Sequence, residues 1–238
     1  DPRESYSVSR YVEDADPIVQ DILARGKPVV IVGGTGLYLD SLIAGRQFAP
    51  LPQSGKREEL SRIAQTQGIE VLMEQLRAVD PEAAARIHPS NQKRVIRALE
   101  IWLETGKTMT QHDLETKAIP PKYQPIYFGL DYENRQDLYD RIDLRVELML
   151  QQGLVKQLLA MGIPVNATGL QAIGYKELIQ YLSGQGSLQQ AKEAIQLGSR
   201  RYAKRQRTWF YRNEKIRWFS LPKKPDFDQI LSQCLAQI

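Results

Sequence analysis

A glycine-rich turn is the first feature of this sequence that could do chemistry. Gly33, Gly34, Thr35 and Gly36 directly follow a β-branched run at residues 28–32. Glycines allow a ligand or another chain segment to approach the backbone closely, and free amides at the start of a helix favour anions. No Gly-Lys-Ser/Thr sequence follows the turn, so it is not a Walker A loop. An anion site and a tight turn without a ligand are both compatible with these residues.

Two arginines, Arg141 and Arg145, are four residues apart in a pattern typical of a helix, so we expect them on one helix face. A planar guanidinium suits two-point contacts with phosphate oxygens. Asp137 and Asp140 could pair with Arg141 instead, which would make this face a solvated surface of salt bridges. The sequence alone leaves both interpretations open.

Positive charge is concentrated towards the C-terminus. Residues 199–217 contain eight basic residues and one acid, while the whole chain has a net charge of +4. Such a block predicts a nucleic acid or a phosphate-bearing small molecule as partner, or else a solvated basic face. On a helix the basic residues would form two stripes, Arg200, Lys204 and Arg207 on one and Arg201, Arg205 and Arg212 on the other.

Two further segments carry groups that RNA-binding proteins use. Lys93, Arg94 and Arg97 lie at the start of a predicted helix, where they could contact phosphates or simply form the polar face of that helix. Residues 171–176, with the sequence QAIGYK, combine an amide, a glycine, an aromatic ring and a lysine. That segment could hold an unpaired base, or it could only cap the helix that follows.

The surrounding patterns indicate an α/β protein. Apolar runs at residues 28–32, 126–130 and 218–221 predict three strands, the first buried on both faces of a parallel sheet. Asp16 and Pro17 predict the start of the first helix. Because a typical sheet has about five or six strands, we expect further strands upstream of Asp1.

Helical periodicity dominates the rest of the chain. Residues 56–114 have no strand signal and predict an all-helical insertion, with Leu60, Ile63, Leu72, Leu76, Ala84 and Ile87 as candidate core positions. A long helix is predicted at residues 135–161, weakened at Gly153, and shorter helices at residues 177–182, 188–211 and 226–238.

Composition sets outer limits on function. Hydrophobic residues make up 42% and charged residues 25%, as in ordinary globular proteins. No apolar run approaches the roughly 18 residues of a membrane span. The single cysteine excludes an internal disulfide and is typical of a cytoplasmic protein, and two histidines with one cysteine disfavour a zinc site.

Six segments, in order, resemble the tRNA dimethylallyltransferases, also called tRNA isopentenyltransferases, over essentially the whole chain. The matching segments are SYSVSRYVEDA (5–15), PVVIVGGTGLY (28–38), ARIHPSNQKRVIRALEIWLETGK (85–107), LYDRIDLRVELMLQQGLV (138–155), QAIGYKEL (171–178) and RRYAKRQRTWF (200–210).

The resemblance implies a P-loop-kinase-like parallel-sheet core, formed by residues 1–50 and 122–238, with N-terminal strands missing. Residues 51–121 would be an all-helical insertion that binds the anticodon stem-loop of tRNA. The implied reaction transfers a dimethylallyl group from dimethylallyl diphosphate to N6 of the adenosine next to the anticodon, which is flipped out of the loop. A Mg²⁺ cofactor, a monomeric state, a cytoplasmic location and no membrane partner are expected with it.

The resemblance also implies roles for individual residues. Thr35 and Arg145 would be catalytic, and Arg145 would neutralise charge on the diphosphate leaving group. Diphosphate or substrate contacts are expected from Gly33, Gly34, Gly36, Arg141 and Arg205. Contacts with tRNA are expected from Arg57, Lys93, Arg94, Val95, Ile96, Arg97, Gln171, Ala172, Ile173, Gly174, Tyr175, Lys176, Arg201 and Lys204.

One departure from the family pattern matters. The family's Walker A loop and its catalytic aspartate, with most of the Mg²⁺ ligands, precede the segment that opens this chain. We therefore expect little transferase activity from this polypeptide alone. The alternatives are a non-catalytic tRNA-binding fragment, an enzyme that prenylates free adenine nucleotides and, least favoured, a nucleotide kinase.

Overall fold

A computed structural model describes residues 1–4, 6–46, 48, 54–118, 120–163 and 168–238. They divide into two compact units, one formed by residues 1–43 and 123–238 and the other by residues 44–122. The predicted domain boundary between residues 50 and 51 lies outside the described residues. Only helices occur among the described residues of the second unit.

Helices account for most of the described chain. In chain order the elements are α1 (Val8–Ala24), α2 (Gly36–Ala44), α3 (Lys56–Gln67), α4 (Ile69–Val79), α5 (Pro81–Arg86), α6 (Gln92–Thr105), α7 (Met109–Ala118), β1 (Tyr127–Tyr132), α8 (Arg135–Gln151), α9 (Leu154–Met161), α10 (Tyr175–Leu182), α11 (Leu188–Phe210), β2 (Ile216–Leu221) and α12 (Phe227–Leu235). A short 3₁₀ helix, Thr168–Gln171, precedes α10.

The first unit contains a small parallel sheet. Strands β1 and β2 pair in parallel, with Tyr127 opposite Ile216 and Tyr132 opposite Leu221. Parallel neighbours need a long crossover, which α8 to α11 supply here. Both strands were predicted from their apolar runs, and both predictions are confirmed.

The strand predicted at residues 28–32 is not formed. These residues pair with neither β1 nor β2, and the side chains of Val30 and Val32 are 81% and 91% exposed. A strand depends on hydrogen bonds to a neighbouring strand, which local sequence does not provide. The described residues offer this segment no such neighbour, so the expected burial on both faces is also wrong.

Two helix boundaries differ from the predicted ones. Helix α1 begins two turns before Asp16, because the Ser7 hydroxyl accepts a hydrogen bond from the Arg10 amide at 3.3 Å and caps the helix. Pro17 therefore lies inside α1. The helix predicted at residues 135–161 is divided into α8 and α9 by Gly153, whose φ of +94° is readily adopted only by glycine.

Each unit has its own apolar core. In the first unit, helices α8 to α11 enclose a cluster formed by Val146, Leu154, Leu158, Leu170, Leu178, Ala191 and Ile195. In the second unit, α3 to α6 enclose a buried cluster that includes five of the six predicted core positions, Leu60, Leu72, Leu76, Ala84 and Ile87. The sixth, Ile63, is partly buried and packs against this cluster.

Asp80 is a buried polar anchor in the second unit. It caps α5 by accepting the Ala83 amide at 3.0 Å, and its carboxylate also accepts the amide and hydroxyl of Thr110 at 2.9 and 2.6 Å. Burial by itself raises the pKa of Asp80, but these hydrogen bonds and the charge of Arg86 lower it below its ordinary value. Asp80 thus fixes α5 and α7 to the end of α4.

Candidate functional site

The glycine turn packs against α11. The Gln206 side-chain amide donates a hydrogen bond to the Gly34 carbonyl at 2.8 Å, and the Trp209 indole donates one to Asp40 of α2 at 2.9 Å. The hydroxyls of Tyr202 and Thr35 are 3.4 Å apart. Because Tyr202, Gln206 and Trp209 are spaced three or four residues apart, they form one face of α11 that meets the turn.

These contacts explain two of the three glycines. A Cβ at Gly34 would overlap the Gln206 side-chain amide, and one at Gly36 would overlap the Trp209 ring. A Cβ at Gly33 would meet nothing within 4 Å. Close approach by another segment is therefore sufficient reason for glycine at positions 34 and 36. Diphosphate binding by Gly33, Gly34 and Gly36 stays a prediction.

Helix α11 carries basic residues of two kinds. The Arg200 guanidinium is 2.6 Å from both carboxylate oxygens of Asp143 on α8. The Arg207 guanidinium is 2.8 Å from Asp131 at the end of β1. Tyr211 donates to the same Asp131 carboxylate at 2.6 Å, and this hydrogen bond, together with burial, raises the pKa of Tyr211. Two members of the first predicted stripe therefore attach α11 to its neighbours.

Three other basic residues of α11 are available to a ligand. Arg201, Lys204 and Arg205 are exposed, and none forms an ion pair with any part of the chain that the structure describes. The Arg205 guanidinium lies over the Tyr202 ring, 5.6 Å from its centroid. Such stacking leaves the edge of the guanidinium, where its N–H donors lie, open to an anion.

Arg141 and Arg145 of α8 are also exposed, and neither forms an ion pair within the described ranges. The predicted pairing of Arg141 with aspartate is wrong. Asp137 lies 3.8 Å from Lys223, and Asp140 accepts the Gln136 amide at 2.7 Å. Arg141 and Arg145 share one face of α8, as their spacing predicted.

That face is directed away from α11. Asp143 and Glu147 of α8 form ion pairs with Arg200 and Lys192 of α11. Arg145, two residues from each of them, is about 160° away around the helix. The hydrogen bonds of the glycine turn described above are made with α11, and none of them involves Arg145. A shared diphosphate site between them stays a prediction.

Residues 171–176 run from the last residue of the 3₁₀ helix into the first turn of α10. Gly174 has a φ of +101°, and its amide donates to the Glu177 carboxylate at 2.8 Å. The segment therefore caps a helix, the simpler of the two predicted interpretations. Gln171, Ala172 and Lys176 are exposed, Ile173 and Tyr175 are partly buried, and an adjoining cleft of about 490 Å³ is lined by Lys176, Tyr181 and Gln190. Contact with tRNA by residues 171–176 stays a prediction.

In the second unit, Glu100 joins two predicted tRNA-binding residues. The guanidinium groups of Arg57 on α3 and Arg97 on α6 each donate to Oε2 of Glu100 at 2.8 Å. Burial by itself raises the pKa of Glu100, but the hydrogen bonds and charges of the two arginines lower it below its ordinary value. Lys93 and Arg94 are exposed one turn earlier on α6. Sequence reasoning missed Glu100, although its spacing of three from Arg97 was visible.

Val95 and Ile96 correct one part of the site prediction. They are 0% and 9% exposed and belong to the apolar core of the second unit. On an amphipathic helix the residues between basic positions turn inwards. Their side chains are therefore unavailable to tRNA, and they contribute to residues 93–97 by anchoring α6.

The described residues contain neither a cluster of potential metal ligands nor a membrane-spanning helix. No group of three or more His, Cys, Asp or Glu side chains that could hold a metal ion occurs among them. The expected Mg²⁺ cofactor stays a prediction. None of the helices in the described ranges is both long and apolar enough to cross a membrane.

Parallel strands joined by crossover helices, with unpaired cations on α6, α8 and α11, define a helix-rich α/β protein with exposed basic surfaces. Residues 1–214 match the family described as IPP transferase. A tRNA dimethylallyltransferase of Thermoanaerobacter sp. (strain X514) is 43% identical over 235 residues, which cover 97% of this chain and 75% of that protein. A tRNA dimethylallyltransferase of Clostridioides difficile (strain 630) is 40% identical, and the match covers 100% of this chain and 76% of that protein. This chain belongs to the IPP transferase family.

Solved structures show the same relationship. The full-length tRNA isopentenylpyrophosphate transferase of Bacillus halodurans is 38% identical with a TM-score of 0.65, over 98% of this chain and 73% of that one. A eukaryotic dimethylallyltransferase acting on tRNA is 26% identical with a TM-score of 0.73, over 96% of this chain and 59% of that one.

Proposed function

We propose that this protein transfers a dimethylallyl group from dimethylallyl diphosphate to N6 of the adenosine next to the anticodon in tRNA. Family membership and relatives about 40% identical over nearly the whole chain support this reaction. The structural observation that supports the proposal most directly is that only some basic residues of α11 are paired with carboxylates. Arg200 and Arg207 are neutralised by carboxylates, whereas Arg201, Lys204 and Arg205 on the same helix are exposed without one.

The reaction exchanges one bond for another. The N6 lone pair forms a bond to C1 of the dimethylallyl group while the C1–O bond breaks, and that electron pair leaves with the diphosphate. N6 then gives up a proton to a base. Arg145, with Arg141 beside it, is the group of this chain that we assign to the negative charge growing on the diphosphate. Both are exposed and form no ion pair with the described residues, as that role requires.

We assign tRNA contacts to each unit separately. Arg201 and Lys204 of α11, with residues 171–176, serve the first unit, and Arg57, Lys93, Arg94 and Arg97 serve the second. Exposed cations neutralise phosphates and release counterions, so they provide affinity for any RNA, while a flipped base provides selectivity. Thr35 lies at the start of α2, where Tyr202 contacts it, and we place the target adenine beside that turn.

Several finer features belong to the same proposal. A P-loop-kinase-like core with a helical insertion for tRNA, a monomeric state and a cytoplasmic location are proposed with the reaction. Magnesium would complement the diphosphate charge when bound, and no step is assigned to it.

Competition between acceptors tests the proposal. The complete gene product is incubated with radiolabelled dimethylallyl diphosphate and an unmodified anticodon stem-loop, with and without excess free adenine nucleotide. We expect label in the RNA and little effect of the nucleotide. Label in the nucleotide instead would identify a nucleotide prenyltransferase, and RNA binding without diphosphate release would identify a non-catalytic tRNA-binding protein.

A further inference from the structure

Glu100 is a buried carboxylate in a place where stability alone does not require one. Its side chain is 10% exposed, whereas those of its partners Arg57 and Arg97 are 54% and 40% exposed. Taking a carboxylate out of water is costly, and an apolar residue of similar size often stabilises a core as well or better. The burial of Glu100 therefore suggests a role beyond holding α3 to α6.

The geometry of the three side chains indicates what that role is. Both guanidinium groups donate to the same oxygen, Oε2, at 2.8 Å, so they are held side by side although they come from different helices. Without a carboxylate between them the two positive groups would repel each other. Each guanidinium has five N–H donors, and each gives Glu100 one hydrogen bond, so donors remain for a second anion.

We propose that Glu100 is a positioning residue that holds Arg57 and Arg97 together as a two-guanidinium site for one phosphate group of the RNA backbone. The inference rests on the proposed function, because tRNA is the polyanion in question. The three groups together carry a charge of only +1, so we expect their contribution to phosphate affinity to come mainly from geometry. Guanidinium groups that are already held in position lose little conformational entropy when a phosphate binds. Lys93 and Arg94, exposed one turn earlier on α6, extend the same basic surface.

The proposal and simple electrostatics predict opposite changes in RNA affinity when Glu100 is neutralised. Glu100→Gln removes a negative charge beside a basic surface, so bulk electrostatics alone predicts tighter RNA binding. If Glu100 positions the two guanidinium groups, its loss should weaken RNA binding roughly tenfold. The slope of log K against log salt concentration should also become smaller by about one. Glu58→Gln is the matched control. Glu58 is an exposed acid next to Arg57 on α3, without an ion pair in the described chain, and its loss is expected to leave affinity unchanged or slightly tighter.

The experiment measures the affinity of the complete gene product for an unmodified anticodon stem-loop at several salt concentrations. Wild type, Glu100→Gln, Glu58→Gln and the double variant Arg57→Lys/Arg97→Lys are compared. The double variant keeps both positive charges but replaces the planar guanidinium groups with ammonium groups. It therefore tests the role of guanidinium geometry even if Glu100→Gln does not fold. Thermal unfolding without RNA identifies any variant that is unfolded at the assay temperature.

The outcomes separate the two proposals. Weaker binding by both Glu100→Gln and the double variant, with a raised KM for the stem-loop and an unchanged kcat, supports the positioning role. Unchanged or tighter binding by the folded variants overturns it while leaving the proposed function intact. A wild-type protein that binds no stem-loop would overturn the proposed function itself.

Discussion

Gln206 of α11 donates a hydrogen bond to the carbonyl of Gly34 at 2.8 Å, and its amide nitrogen occupies the space that a Cβ at position 34 would need. The glycine turn is therefore shaped by a helix 172 residues further along the chain. The same helix presents the unpaired Arg201, Lys204 and Arg205. Its placement thus affects the turn and the basic surface together.

Alanine substitutions in the turn should differ sharply. Gly36→Ala forces the rigid Trp209 indole to move and breaks its hydrogen bond to Asp40, so we expect about 1–3 kcal/mol lower stability. Gly34→Ala displaces a flexible amide and should cost less. Gly33→Ala, the control, meets open space and should be near neutral. Urea denaturation measures the series, and equal effects at all three positions would contradict the packing described.

Loss of the Arg207 guanidinium should lower stability. Asp131, whose side chain is 13% exposed, would lose its charged partner in Arg207→Ala and keep two neutral donors, the Tyr211 hydroxyl and the Tyr132 amide. We expect a cost of about 1–3 kcal/mol. Arg201→Ala, on the same helix without an ion pair, should change the free energy of unfolding by less than about 0.5 kcal/mol. Similar melting temperatures for the two variants would refute this assignment.

The exposed cations of α11 should act on RNA affinity alone. Arg201→Ala and Lys204→Ala each remove one proposed phosphate contact, so each substitution should reduce the slope of log K against log salt by about one. The test is titration of a labelled anticodon stem-loop at several salt concentrations. Lys224→Ala, an exposed lysine outside α11, serves as the control, and an equal effect there would show that only net charge matters.

Arg145 should matter for the chemical step. Arg145→Ala removes the charge assigned to the leaving diphosphate, and we expect kcat to fall by about 10²–10³, with the melting temperature unchanged because Arg145 is exposed and unpaired. Lys156→Ala removes an exposed charge from the neighbouring helix α9 and should leave kcat unchanged. Single-turnover measurements separate chemistry from binding, and a wild-type kcat in Arg145→Ala would exclude the assigned role.

Asp80 should make the second unit sensitive to acid. Its pKa is lower in the folded protein than in the unfolded chain, so its stabilising contribution is fully present above the ordinary aspartate pKa and is lost as pH falls through the folded pKa. We expect Asp80→Asn to cost about 1–3 kcal/mol above about pH 5, and the difference from wild type to shrink towards pH 3. Urea denaturation followed by circular dichroism at several pH values provides the test. A difference that grows on acidification would contradict this sign.

Local sequence predicted the elements whose signals are local. Helix α6, Gln92–Thr105, lies within residues 56–114, where the periodicity predicted helices, and both β1 and β2 follow their apolar runs. The run at residues 28–32 also predicted a strand, yet Val30 and Val32 are exposed. An apolar run can be recognised in a sequence, but the neighbouring strand with which it must form hydrogen bonds cannot.

For the candidate site too, local features could be predicted from the sequence and long-range contacts could not. Spacing alone placed Arg141 and Arg145 on one face of α8. It could not show which cations are neutralised, because the carboxylate that pairs with Arg200 lies 57 residues away, and Glu100 lies 43 residues from Arg57. Such pairs depend on how helices pack, so a helical stripe of basic residues cannot be divided into structural and ligand-binding members before the fold is known.

The position of the modified nucleoside tests the central claim most directly. The complete gene product is incubated with dimethylallyl diphosphate and an unmodified tRNA, and the RNA is digested and analysed by mass spectrometry with nucleotide resolution. Our account predicts a single dimethylallyl group on N6 of the adenosine next to the anticodon. Transfer to other adenosines, or equal transfer to free adenine nucleotides, would contradict it.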